Sequence, residues 1–430
     1  MLDRIPFAAL ALSCVVGAGR AVRAQDAPLP LTRSDAIASA LSRGARLGVA
    51  RADTSVAYAQ LITARAFQNP TVATSYSRAV PNYHVNVDFP IDFPWIRRNR
   101  MLGAMSGRLA AQYRFQFERA AIALEVDTLY TRALAARERS ALTRRTARDA
   151  DSLRRMAVSR RDAGDASDLD VELATVSAGQ QANVAAADSL EFISVLLDLQ
   201  TVIGIIAHDV AVLPVDSLTM PPIDAALLAA NTASLMMVAD TAAGAPIVPG
   251  RTPLQVAAAE AAFSSAAQAV ALERRSVWGS PSITAGFEKG DPSGGEPGIL
   301  PTIGIALPIP LLNRNNGPIA LATAERERAR AELTLARIES QAEIARARRT
   351  LTIALSKVER DRALVTSANR VATMALTAYR EGASTLPNVL EAERSAREVL
   401  TQYVDDLAAV WNASAALRVL TLTPDTVSSR

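Results

Sequence analysis

The chain has 430 residues, half of them hydrophobic but only 4% aromatic, and a formal charge of +3. This balance belongs to long helices and coiled coils. Its basic residues are dispersed among acids, which gives no nucleic-acid surface. Only Lys289 and Lys357 are lysines.

The opening stretch "MLDRIPFAALALSCVVGAGRAVRAQ" places Arg4 before an apolar run over 7–16, and small residues then lead to Val22-Arg23-Ala24. That run is too short to span a bilayer and reads as a secretory signal peptide, 1–24. Its removal takes three arginines and one aspartate, leaving a formal charge of +1. Cys14, the single cysteine, lies inside it, so the mature chain has no disulfide framework. Retention of Cys14 as a lipid anchor is the alternative, although Ala11-Leu12-Ser13 matches a lipoprotein signal poorly. No stretch of 18 uninterrupted apolar residues follows residue 25, which gives no transmembrane helix.

A first structural repeat is expected over 25–205. Helical spacing through Ala36, Ala40, Leu41 and Leu47 predicts a helix over 33–67, stopped by Asn69-Pro70. A β-hairpin follows at 69–93. On its second strand Tyr83, Val85, Val87, Phe89 and Ile91 share one face, and His84, Asn86 and Asp88 the other. A long helix over 96–161 contains no proline. A turn at 162–168 around Gly164 leads into a helix over 167–205.

Residues 206–251 carry Pro214, Pro221, Pro222, Pro246 and Pro249 and read as a connection between repeats with short helical pieces. The second repeat, 252–420, follows the same order: a helix over 253–277, a hairpin at 281–311, and a long helix over 319–381. A turn at 381–388 and a helix over 388–420 complete it, before a tail at 421–430. On the hairpin's second strand Ile299, Ile303, Ile305, Leu307 and Ile309 face one way, and Thr302, Gly304 and Ala306 the other.

The duplication shows as a constant offset. Pro308 lies 218 residues after Pro90, and Gly382 lies 218 after Gly164. Over that second match "GDASDLDVELATVSA" falls on "GASTLPNVLEAERSA", pairing Val171 with Val389 and Ala174 with Ala392.

A helix of about 65 residues is roughly 100 Å long and must lie against other rods. Strands of roughly 10–12 residues suffice to cross a bilayer when tilted. Four strands leave edges unpaired, and eight is near the minimum for a membrane barrel, so a barrel requires several chains. An ordinary four-stranded sheet packed on a helix is the other reading of the alternation.

The ordered set of "DFPIDF" and "ALPIPLLNR" strand ends with "GDASDLDVELA" and "YREGASTLPNVLEAE" turns resembles the TolC-like outer-membrane efflux proteins. The resemblance covers essentially the whole mature chain. It implies a mainly α fold with a small β part: a periplasmic α-barrel of duplicated coiled-coil repeats under a 12-stranded transmembrane β-barrel closed by a homotrimer. The Pro-Ile stretches would be the points where strand hands over to helix. It also implies a passive outer-membrane exit duct of a tripartite pump. The partners would be a periplasmic membrane-fusion adaptor, an inner-membrane transporter of RND or ABC type, and outer-membrane lipid.

Carried over from that family, the adaptor contacts are Gly164, Asp165, Ala166 and Ser167 in one tip and Gly382, Ala383, Ser384 and Thr385 in the other. Glycine and small side chains let helical tips approach closely. The gate positions are Glu391, Asn388, Asp170 and Tyr379. By threefold symmetry Glu391 would place three carboxylates around the pore. Asn388 departs from the expected acid, and Ser384 stands where an arginine supports the closed state. A plain helix–helix turn and a solvated helix-face charge are the structural alternatives for these residues.

No catalytic constellation is present, so no enzymatic activity, cofactor or metal is expected. His84 and His208 are the only histidines and have no ligand spacing, and "GDPSGGEP" at 290–297 suits a barrel loop rather than a phosphate cradle. Met236-Met237 reads as packing. A duct for type I-like protein or peptide secretion differs only in partner. A coiled-coil adaptor would need a lipoyl-like β module, which the sequence lacks.

Overall fold

Proline and glycine punctuate the chain, and the elements between them are unusually long. The computed structural model describes residues 29–79, 81–205, 212–223, 252–289 and 298–424. The 1–24 segment with Cys14, His208, Met236-Met237, the 290–297 loop, most of the 206–251 connection and the end of the tail lie outside the described residues.

In chain order the elements are β1 (Leu29–Leu31), α1 (Arg33–Arg43), α2 (Ala45–Arg65), β2 (Thr71–Tyr76), β3 (Tyr83–Pro90), α3 (Pro94–Asp162) and α4 (Asp168–Val202). Then come β4 (Val212–Pro214), α5 (Leu254–Arg275), a 3-10 turn (Ser276–Trp278), β5 (Ser282–Lys289), β6 (Ile299–Ala306), α6 (Asn316–Arg380) and α7 (Leu386–Leu420). No described helix is long and apolar enough to cross a membrane.

The helix expected over 33–67 is two helices. Thr32 caps α1 by accepting from the Asp35 amide, and α1 ends at Gly44, whose backbone is extended at φ −63° and ψ 121°. A Cβ there would lie 2.4 Å from the Ala40 carbonyl oxygen, so only glycine turns the chain so tightly against the end of α1.

At 69 residues α3 is a rod of roughly 100 Å. It begins at Pro94, where the absent N–H would have had no helical partner. The 65 residues of α6 make a second rod. Against these the shorter helices pack in two tiers. Nearest the glycine turns α4 packs on α3, α3 on α7 and α7 on α6; towards the sheet α2 packs on α3, α3 on α5 and α5 on α6.

The core is distributed along the rods in separate clusters. One joins Ala36, Val126, Tyr130, Leu134, Leu199 and Val212 midway along α3. A second joins Leu153, Val171, Tyr379, Leu386 and Val389 beside the turns, and a third joins Leu351, Val358, Val410 and Leu417 between α6 and α7.

β1 and β4 pair in parallel, and β2-β3-β5-β6 form an antiparallel sheet in that order. The hairpins meet where β3 pairs with β5, with Val85 opposite Phe287 and Phe89 opposite Ile283. The strands have six to eight residues, fewer than the 10–12 expected. Leu307 and Ile309 follow the end of β6, because Pro308 and Pro310 cannot donate to a ladder.

Candidate functional site

The sheet's two faces differ in chemistry. Cross-strand register puts Val72, Val87, Phe89, Ile283, Phe287 and Ile305 on one face. That face is uncovered: Ile303 is 83% exposed and Ile305 77%. On the opposite face the His84 ring lies 3.2 Å from the Glu288 carboxylate, and Thr284 donates to Asp88. His84 and Asp88 therefore sit on the polar side, as the alternation predicts. The sheet also has two unpaired edges, β2 and β6, among the described residues.

The tips lie at the far end of the rods. At the end of α3 the Gly164 amide donates to the Arg161 carbonyl and the Asp165 amide to the Arg160 carbonyl. At the end of α6 the Gly382 amide donates to Tyr379 and the Ala383 amide to Ala378. Both pairs form the same helix-ending motif, and it requires a left-handed residue. Gly164 has φ +84° and Gly382 φ +73°.

The helices that leave the tips begin differently. Ser167 accepts from the Asp170 amide at 3.2 Å, while Asp170 accepts from the Ser167 amide at 3.1 Å, a reciprocal capping box. Thr385 occupies the matching position before α7 but makes no side-chain cap bond. Asn388 stands where the first tip has Asp170, and its amide donates to the Ser384 hydroxyl at 3.3 Å.

The gate positions are dispersed. Tyr379 is buried in the tip core, and its hydroxyl has no hydrogen-bond partner among the described residues. Burial, with the Asp170 carboxylate nearby, pushes its pKa up against an opposing pull from Arg160. The Asp170 carboxylate is engaged by Ser167. Glu391 is exposed on the second turn of α7 and takes both its contacts from Arg394, at 3.0 and 3.1 Å.

Three residues central to these sites were not legible as such. Arg160 donates to the Tyr379 carbonyl at 2.6 Å and lies 4.8 Å over the Tyr379 ring. Its signal was the duplication: position 378, its counterpart, is alanine. Arg394 could have been found from its three-residue spacing to Glu391. Tyr130 had no local signal. Its hydroxyl donates to Asp216 at 2.8 Å and sits 2.9 Å from the Leu31 carbonyl, fixing β1 and the chain after β4 to the middle of α3. Arg33 joins the same cluster, with its amide on Asp216 and its guanidinium on Asp127 and 3.9 Å over the Trp411 ring.

No protein-family model and no curated protein sequence matches the chain. Solved structures match it closely in shape. The outer membrane protein VceC of Vibrio cholerae is 17% identical, with a TM-score of 0.73 over 90% of this chain and 96% of that one. A membrane protein from Pseudomonas aeruginosa is 19% identical, at 0.71 over 90% and 93%. The Campylobacter jejuni CmeC outer membrane channel is 15% identical, at 0.69 over 98% and 94%. The chain has the TolC-like fold of outer-membrane channels. At these identities the comparison defines the arrangement of helices and strands, and the roles of the tip and gate residues must be argued from their chemistry.

Proposed function

We propose that this chain is one subunit of a passive homotrimeric outer-membrane duct, the exit of a tripartite efflux pump for small molecules or ions. The observation that carries this reading is the amphipathic four-stranded sheet, uncovered on its apolar face and open at both edges. An isolated sheet of this kind in water exposes a large apolar patch and two strand templates. A lipid-facing barrel resolves both. Eight residues rise about 27 Å along a strand, and a tilt of about 40° leaves about 20 Å of height, short of the apolar band of about 25 Å in membrane barrels; the exposed Leu307 and Ile309 just beyond β6 extend the apolar run. Four strands from each of three copies give a closed ring of twelve.

In this reading the polar face with His84, Asp88 and Glu288 lines the barrel lumen. The rods carry the passage across the periplasm, and the Gly164 and Gly382 tips meet a periplasmic adaptor that links them to an inner-membrane transporter. Asp165, Ala166, Ser167, Ala383, Ser384 and Thr385 complete that contact, and Glu391, Asn388, Asp170 and Tyr379 surround the constriction. The duct itself performs no chemistry; energy enters at the transporter.

The test combines heat-modified gel mobility with planar-bilayer conductance. A detergent-extracted trimer that shifts on boiling and conducts ions is the expected result. A water-soluble monomer without conductance overturns the proposal.

A further inference from the structure

Two aspartates meet where α6 packs on α7. Asp406 of α7 is buried, and its carboxylate accepts from the Lys357 ammonium at 3.4 Å and from the Gln402 amide at 2.9 Å. Asp361, one turn of α6 beyond Lys357, sets its carboxyl against that of Asp406. Its Oδ2 is sealed from solvent and has no donor to accept from among the described residues. Val358 and Leu407 beside the pair belong to an apolar cluster, where charge is screened weakly.

Two ionised carboxylates in this place would repel each other and leave the sealed oxygen unsatisfied. A single proton removes both defects. As a carboxylic acid Asp361 donates to Asp406, which stays ionised against Lys357. We propose that Asp361 and Asp406 hold one proton between them, and that this proton is a pH-dependent clamp between α6 and α7. The clamp lies within one copy, so it goes beyond the duct reading and does not require three copies to assemble.

The duplication supports the clamp independently. The offset of 218 sets Lys357 on Arg139, Asp406 on Asp188 and Asp361 on Thr143. The first repeat thus keeps the cation and one carboxylate and places a neutral, buried hydroxyl third. There the fold takes a neutral donor, and protonated Asp361 is one. A bound metal ion is the other means of joining two carboxylates. Here the Lys357 ammonium already stands on Asp406, and the described residues offer no group of three acidic, histidine or cysteine side chains to hold a metal.

The surrounding charges pull both ways. Burial, then the hydrogen bond to Asp406 and its charge, raise the Asp361 pKa against Lys357 and Arg360. At Asp406 burial is outweighed by the bonds from Gln402, Asp361 and Lys357, and its pKa is lowered. Next to it Asp405 faces Arg139 of α3 at 3.5 Å and the charge of Asp188 on α4. A raised carboxyl stabilises the fold while protonated, so the Asp361 contribution is complete below the ordinary value of 3.8 and is lost as pH rises through the raised one. The Asp406 contribution is complete above 3.8 and is lost as pH falls through the lowered one. The one-proton pair therefore prevails in a window around that value. As pH rises beyond the window the proton leaves to solvent, the pair goes from one negative charge to two, and the clamp loosens.

Infrared difference spectra and thermal unfolding of the detergent-extracted full chain, followed from about pH 4 to about pH 8, test this. In the unaltered chain one component of the protonated-carboxyl band should disappear as pH rises, while the unfolding temperature falls by a few degrees. Asp361→Asn and Asp361→Thr each supply a neutral donor, so both should lack that component and that fall. Glu393→Gln should keep them, although burial and Asp149 raise that carboxyl too. Asp406→Asn should also remove the component, because Asp361 then faces no carboxylate. A component and a fall that persist in either Asp361 variant, or that vanish in Glu393→Gln, overturn the clamp. Should neither Asp361 variant fold, persistence of the component in Asp406→Asn overturns it and its loss supports it.

Discussion

The Arg160 guanidinium donates to the carbonyl of Tyr379, so the end of α3 is tied to the end of α6 by one side chain. That carbonyl also accepts from the Gly382 amide, and the cation lies at the negative end of a 65-residue helix. Arg160→Ala should cost roughly 1–2 kcal/mol, since a charged hydrogen bond in a partly buried place is lost. Its sharper effect should be a higher open-channel current in bilayers, because the two tips separate more readily. Arg160→Lys keeps the charge but loses the planar stacking on Tyr379, so it should fall between the two. Tyr379→Phe removes a hydroxyl with no hydrogen-bond partner among the described residues. A current unchanged in Tyr379→Phe assigns the restraint to Arg160; a current raised by that change alone assigns it to the hydroxyl.

The two tips provide an internal comparison. Ser167 caps α4 with its hydroxyl, whereas Thr385 makes no side-chain bond to α7. Ser167→Ala should cost about 1 kcal/mol, the usual value of a lost N-cap, and Thr385→Ala almost nothing. Hydrogen exchange at the Asp170 and Asn388 amides reads each tip separately. Equal acceleration at both would mean that the serine cap carries no weight. Gly164→Ala, with open space around its Cβ, tests backbone alone and should cost about 1–2 kcal/mol for its left-handed conformation.

Tyr130 governs the middle of the rod. Burial, and then its hydrogen bond to Asp216, push its pKa from 10.0 to about 12. A raised tyrosine favours the protonated folded form. Its contribution is therefore complete below pH 10 and is lost as pH rises towards 12. Ultraviolet titration should show a tyrosine step near pH 12, and Tyr130→Phe should remove that step while the upward-shifted Tyr379 remains. The same change should destabilise by about 1–3 kcal/mol at neutral pH, because Asp216 and the Leu31 carbonyl lose a buried partner. A full set of tyrosines titrating near 10 would contradict the packing described for this residue.

Much of the architecture was legible because its determinants are local. Gly164 and Gly382 end helices by backbone conformation, Asn69-Pro70 stops one, and the period-two alternation of β3 orders its side chains by face. The failures were local conflicts or distant contacts. Helical spacing continues through Gly44, so the break there was hidden until the close approach to Ala40 was seen. Pro308 and Pro310 lie within an apolar run that alternation alone would extend. Arg33, Tyr130 and Asp216 meet from three separate parts of the chain, and no spacing rule brings them together. Arg160 is one arginine among many, distinguished only by where α6 ends.

The apolar face of the sheet can be tested directly. Ile303 and Thr302 are neighbours on β6 but point to opposite faces. Lysine at a lipid-facing position near the bilayer midplane costs about 2–4 kcal/mol, whereas lumen-facing positions tolerate charge. Ile303→Lys should therefore lower the yield of heat-modifiable trimer in the outer-membrane fraction, and Thr302→Lys should leave it near that of the unaltered chain. Equal yields from both would show that the exposed face does not meet lipid.

At the proposed constriction, charge should be weaker than three bare carboxylates suggest. Arg394 holds Glu391 by two contacts on the exposed face of α7 and also lies 3.9 Å from Glu398. Exposed pairs of this spacing are worth little to stability, but they offset part of the local field. In the proposed trimer Glu391→Ala should reduce cation preference modestly, and it leaves Arg394 paired with Glu398 alone. Arg394→Ala should raise cation preference, because it frees three symmetry-related Glu391 carboxylates at once. Reversal potentials in a salt gradient measure both. The ordering matters more than the size. If Arg394→Ala leaves selectivity unchanged while Glu391→Ala abolishes it, the glutamates already act as free charges and the ion pair is absent from the working channel. If neither substitution moves the reversal potential, the narrowest part of the passage lies elsewhere along the rods.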